Sequence, residues 1–135
     1  FNVSHSGGMI LVAVASDRRV GVDIERVRSD FDVVQIAERF FSPAEHAALR
    51  KVPLPGKAEA FFRCWTRKEA FIKALGEGLS HPLHQFDVGL DGTEPIPLST
   101  RPDPQEARRW SLWSLPAAAG YVAAVAVENI PTREP

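Results

Sequence analysis

The chain has 135 residues, enough for one domain that removes roughly 65 to 70% of its unfolded surface from water without a metal or disulfide staple. Lys and Arg number 16 against 17 Asp and Glu, a formal charge of -1, which supplies no global field for nucleic acid, so any anion must be bound locally. A single cysteine, Cys64, excludes an internal disulfide framework, and no run approaches the ~18 apolar residues of a membrane span or forms a basic and then apolar leader, so we read the chain as cytoplasmic with no membrane partner.

In chain order, residues 9–15 are apolar throughout, bounded by Gly7-Gly8 and Ser16-Asp17, which predicts a strand buried on both faces. After a turn at Asp17-Arg18-Arg19, residues 20–25 continue as its hairpin partner. There Asp23 and Glu25 alternate with Val22 and Ile24, so both acids project from the same face. Residues 32–40 place Val33, Ile36, Ala37 and Phe40 at helical spacing, and Ser42-Pro43-Ala44-Glu45 is a capping box with proline at the first helical position.

Val52-Pro53-Leu54-Pro55-Gly56 interrupts the pattern. A longer helix is then predicted over 57–75, closed by Gly76 in a left-handed cap. Its apolar arc is Phe61, Cys64, Trp65, Phe71, Ile72 and Leu75. Glu69 and Lys73, one turn apart, fall beside that arc, at the border of core and solvent. Lys68 points into the arc, where a lysine must extend its stem outward or find an anionic partner. Residues 85–90, 109–115 and 121–127 read as short strands, 91–104 as an exposed proline-rich loop, and 131–135 as a disordered tail. The expected fold is one α+β domain over 1–130, an antiparallel sheet packed on one long helix.

Asp23, Glu25 and Glu69 are hard oxygen ligands of the kind that hold Mg2+ against a substrate phosphate, and Lys73 suits a second phosphate oxygen. The residues alone leave a plainer alternative open: a solvated strand face for the first two and a surface ion pair between Glu69 and Lys73. Cys64 reads as a small apolar filler and Trp65 as core. His46, His81 and His84 have no Cys or His at metal spacing, so no zinc site is expected. Neither a phosphate-binding G-x-x-x-x-G-K-[ST] loop nor a nucleophile elbow is present.

Gly21-Val22-Asp23-Ile24-Glu25 and Trp65-Thr66-Arg67-Lys68-Glu69-Ala70-Phe71-Ile72-Lys73 resemble the two signature motifs of 4'-phosphopantetheinyl transferases, G-[IV]-D-x-E and W-[ST]-x-K-E-[AS]-x-x-K. Phe1-Asn2-Val3-Ser4-His5-Ser6 is similar to the F-N-x-S-H-S segment of the larger, Sfp-type branch. Arg39-Phe40-Phe41-Ser42 with Glu45, and Gly76-Glu77-Gly78-Leu79 followed by Phe86, extend the likeness through the first two-thirds of the chain. That branch has two similar halves with coenzyme A between them, so the resemblance implies that this numbering lacks the N-terminal half.

The resemblance implies transfer of 4'-phosphopantetheine from coenzyme A to a serine of an apo acyl or peptidyl carrier protein, with release of 3',5'-ADP. Mg2+, with Mn2+ as a substitute, would be held by Asp23, Glu25 and Glu69. Glu69 would act as base and Lys73 would stabilise phosphate charge. Coenzyme A would be bound by Ser4, His5, Lys68 and Lys73; by position alone, Arg39, Phe40 and Phe41, basic and apolar groups near the helix after the metal strand, are candidates for docking an acidic carrier. Three other readings stand beside this one: a half-domain inert without its complement, a domain completed by copies of itself, and a Mg2+-dependent nucleotide pyrophosphatase.

Overall fold

In the computed structural model, which describes residues 1–76, 82–92 and 94–130, the chain runs β1 (Asn2–Ser6), β2 (Met9–Ala13), β3 (Val20–Arg26), α1 (Val33–Phe40), α2 (Pro43–Lys51), α3 (Leu54–Leu75), β4 (Phe86–Asp87), β5 (Ser99–Thr100), β6 (Trp110–Leu115) and β7 (Tyr121–Glu128). β3, β7 and β6 form an antiparallel sheet in that order, and α3 packs across β3 and β7. This is the expected α+β arrangement.

Local chemistry sets the helix ends. Asp32 caps α1 by accepting from Val34 and Gln35 N–H. Ser42 caps α2: its hydroxyl accepts from Glu45 N while the Glu45 carboxylate accepts from Ser42 N. α3 starts slightly ahead of the expected position, because Pro53 takes its N-cap and Pro55 lies in the first turn, where a missing N–H has no helical partner to lose. It stops at Gly76, whose φ of 72° lets its N–H reach back to Ile72 and Lys73 O.

Aromatic rings tie the helix to the sheet. Phe71 meets Phe86 at 5.0 Å and Trp110 at 5.6 Å between centroids, over a floor that includes Ala124, Ala126 and Leu112. Trp65 is partly buried, stacked on Phe61 and edge-on to Phe40. Cys64 is a free thiol with no exposure, as a core filler should be.

The expected hairpin is wrong in its pairing. β2 pairs with β1, in the register Val3↔Val12, and the ladder partner of β3 is β7. Gly7 and Gly8, both at positive φ, make a tight two-residue reversal that pairs β2 with β1. Nor is the 9–15 run buried on both faces: Ile10, Val12 and Val14 are 71%, 56% and 81% exposed. A two-stranded hairpin laid on β3 has only one face to bury.

Two further expectations need revision. Only Phe86–Asp87 of the expected 85–90 strand is extended into a ladder, with β5. The 91–104 loop is anchored rather than wholly exposed, since Ile96 is 4% exposed and its N–H donates to Leu112 O. Glu77, Gly78, Leu79, His81 and the 131–135 tail lie outside the described residues.

Candidate active site

The Gly-Val-Asp-Ile-Glu strand meets the long helix because its first residue has no side chain. A Cβ on Gly21 would overlap Ala70 O and Ala74 N and lie 3.0 Å from Ala74 Cα, so only glycine lets β3 lie this close to α3. Gly21, Asp23 and Glu25 share the sheet face of Ala126, Ala124 and Val122, their ladder partners. That face is turned to the helix, where Ala70 and Ala74 are neighbours in sequence of Glu69 and Lys73.

Asp23 is 5% exposed. Its Oδ1 accepts the Ser4 hydroxyl at 3.1 Å and has Lys73 Nζ at 3.6 Å, while Oδ2 is buried with no partner. Burial first, then the Glu25 charge, push the Asp23 carboxyl up to about 7; Lys73 partly offsets them. Glu25 is raised by burial and by Glu69, and Glu69 is raised by burial against the pull of Lys73. Acids that raise one another in a poorly solvated patch lack positive charge, and a divalent cation supplies it.

The residues fit a hard cation in donor chemistry and in the orphaned Asp23 oxygen. No ready-made cage exists among the described residues. Asp23, Glu25 and Glu69 would therefore have to close on an ion from neighbouring positions.

Lys73 does not pair with Glu69. Its amine reaches across to β3 and β1, donating to Val22 O at 3.0 Å and Val3 O at 3.3 Å beside Asp23. The surface ion pair that helix spacing permitted is replaced by an anchor between α3 and two strands.

Two residues expected at coenzyme A are committed elsewhere. Lys68 is fully buried, 2.7 Å from Glu45 Oε1, donating to Leu83 O and Phe86 O and lying over the Phe86 ring. It takes the anionic partner that its place in the apolar arc demanded and has no route to solvent. Ser4 is 5% exposed and gives its only proton to Asp23 while accepting from Ile24 N at 3.1 Å. His5 is exposed on the outward face of β1.

The sequence reading gave Glu45 only the role of a helix cap and gave Arg67 none. Glu45 Oε2 accepts from Val88 N and Gly89 N, besides the Lys68 pair. Arg67 is fully buried and donates to Val88, Gly89 and Asp91 O. Together they strap residues 83–91 to α3 from behind the site. Two adjacent cations beside the apolar arc were the available signal. A cleft of about 650 Å3 borders this strap, lined by Ala44, Val52, Ala60, Arg63 and Leu90, and holds none of the three site acids.

Residues 19–126 match the family profile described as the 4'-phosphopantetheinyl transferase superfamily. The 4'-phosphopantetheinyl transferase HetI of Nostoc sp. is 42% identical over 94% of this chain and 51% of its own length. The 4'-phosphopantetheinyl transferase Sfp of Bacillus subtilis is 40% identical over 73% of this chain and 43% of its own length. The chain thus spans about half the length of these curated relatives. Among solved structures, the holo-[acyl-carrier-protein] synthase of Thermotoga maritima superposes with a TM-score of 0.60 at 23% identity, covering 82% of this chain and 62% of its own. A Chronobacterium ammoniagenes synthase solved as a coenzyme A complex gives 0.59 at 18% identity, covering 87% and 100%. The structural likeness establishes the fold, and the sequence matches place the chain in the 4'-phosphopantetheinyl transferase superfamily.

Proposed function

We propose that this chain carries the catalytic face for Mg2+-dependent transfer of 4'-phosphopantetheine from coenzyme A to a serine of an acyl or peptidyl carrier protein, in the cytoplasm. The observation that carries the reading is the buried Asp23 carboxylate, with its unpartnered Oδ2, sharing one patch with Glu25 and Glu69. It agrees with the names of the relatives.

Asp23, Glu25 and Glu69 would hold the ion. Bound there, Mg2+ would draw charge from the pyrophosphate of coenzyme A. The serine oxygen forms a bond to the β-phosphorus as the bond to 3',5'-ADP breaks. Glu69, whose carboxyl is raised by burial, takes the serine proton directly or through a water. Lys73, with 30% of its side chain exposed, can turn from the Val22 and Val3 carbonyls to a phosphate oxygen as charge builds. His5 stands exposed one residue beyond Ser4, where its imidazole can donate to a phosphate oxygen.

The test is release of 3',5'-ADP from coenzyme A with and without an apo carrier protein. Carrier-dependent release that stops in EDTA and in Glu69→Gln supports the transferase. Release without carrier favours the pyrophosphatase reading.

One observation favours a second reading, in which the site is completed by another body. Outward residues of the β1–β2 hairpin and its ends, Phe1, Val3, Ile10, Val12 and Val14, form an exposed apolar face, and such a face is costly to leave in water. A complementary half or further copies of the chain would cover it. Sedimentation shows self-assembly if copies do so; a monomer that becomes active only when the N-terminal half of a two-half relative is added identifies a complementary half.

A further inference from the structure

The outer edge of β3 is closed in an unusual way. Its inner edge pairs with β7 through the backbone, but the N–H groups of Val22, Ile24 and Arg26 point the other way. A neighbouring strand would ordinarily meet them with carbonyls. Here they meet side-chain oxygens of β1: Asn2 Oδ1 at 3.0 Å, Ser4 Oγ at 3.1 Å and Ser6 Oγ at 3.0 Å. The Asn-x-Ser-x-Ser alternation is therefore a side-chain ladder with the period of a strand.

The middle rung differs from the other two. Ser4 is the only one of the three that is buried, and it alone also donates to a carboxylate, Asp23 Oδ1 at 3.1 Å. A serine hydroxyl has one proton and otherwise only acceptor lone pairs. That proton is spent on Asp23, so in this geometry the hydroxyl acts on the carboxylate. The bond holds one Asp23 oxygen and leaves Oδ2, buried and unpartnered, to face an incoming ion.

We infer that Ser4 is a positioning residue that orients Asp23 for a divalent cation. The inference rests on the metal reading of Asp23, and its test separates the two. The purified chain is titrated with Mn2+ alone, followed by the loss of the free-ion electron paramagnetic resonance signal, with a thermal melt of each variant.

Wild type binds, Asp23→Asn does not, and Ser4→Ala binds about tenfold more weakly, the scale of a lost hydrogen bond to a charged group. Asn2→Ala and Ser6→Ala each remove a rung and lower the melting temperature, yet keep Mn2+ affinity within about twofold, because neither touches a carboxylate. That contrast is one a merely structural Ser4 would not produce. If Ser4→Ala does not fold, Ser4→Thr and Ser4→Val are compared at matched shape: the threonine binds and the valine is weakened.

Unchanged Mn2+ affinity in Ser4→Ala, or equal affinity in the threonine and valine variants, with Asp23→Asn still defective, overturns the role of Ser4 and leaves the metal site standing. Absence of Mn2+ binding in wild type, or binding unaffected by Asp23→Asn, overturns both.

Discussion

Lys68 Nζ lies 2.7 Å from Glu45 Oε1, and neither side chain reaches solvent. The pair joins the first turn of α2 to the middle of α3, one residue before Glu69. Removing one member strands the other charge in the interior, at a cost of roughly 3–5 kcal/mol. Lys68→Met should therefore lower stability by that order in urea unfolding, and Glu45→Gln in the same chain should restore part of it. An unaltered midpoint in Lys68→Met would show that the pair contributes nothing.

Gly21 is where the strand and helix touch. Gly21→Ala forces a methyl against the backbone of Ala70 and Ala74, which do not yield as a flexible side chain would. A loss of about 2 kcal/mol or more is expected, in the upper range for overpacking, together with weakened Mn2+ binding as β3 moves from α3. A variant that melts and binds like wild type would contradict the close approach.

Stability should depend on pH through Asp23. Its carboxyl titrates near 3.8 when unfolded and at about 7 when folded, so between these values the folded chain holds a proton that the unfolded chain has released. Stability of the metal-free protein then falls as pH rises from about 4 to 7, by an amount on the order of 2–4 kcal/mol. Glu25 and Glu69 shift the same way and add to the slope. Asp23→Asn should flatten the profile and melt higher than wild type at pH 8. Added Mg2+ should raise the wild-type midpoint more at pH 8 than at pH 5. A profile unaffected by Asp23→Asn would remove this carboxylate as the source.

Glu69 and Lys73 separate by readout. Glu69→Gln should leave melting unchanged or slightly raised, since it removes a half-buried charge, while slowing transfer by about 10^2-fold or more. Lys73→Ala should lose both the Val22 and Val3 hydrogen bonds, lowering stability by about 1–2 kcal/mol as well as raising the coenzyme A requirement. If Lys73→Ala is destabilised but kinetically normal, Lys73 is an anchor alone.

What the sequence revealed was mostly local. The Ser42 to Glu45 cap and the Gly76 stop depend on residues within one turn, and both form as read. The faces of Asp23, Glu25, Glu69 and Lys73 followed from period alone, and Gly21 brings those faces together. Pairing was not local. The apolar run at 9–15 looked buried because composition cannot show which surface a strand lies on, and its true partner was the polar Asn2 to Ser6 segment. Lys68 declared itself by standing in an apolar arc, but its partner Glu45 already had a sufficient role as a cap. Ser4 was hidden for a similar reason: a motif that suggested phosphate binding also closes a sheet edge.

The most direct measurement is the intact mass of an apo carrier protein incubated with this chain, coenzyme A and Mg2+, beside an EDTA control and a reaction to which the N-terminal half of a two-half relative is added. The account predicts a metal-dependent gain of one phosphopantetheine on the carrier, lost in Glu69→Gln, either from this chain alone or with the added half. A carrier whose mass stays unchanged in every one of these reactions would contradict the transferase.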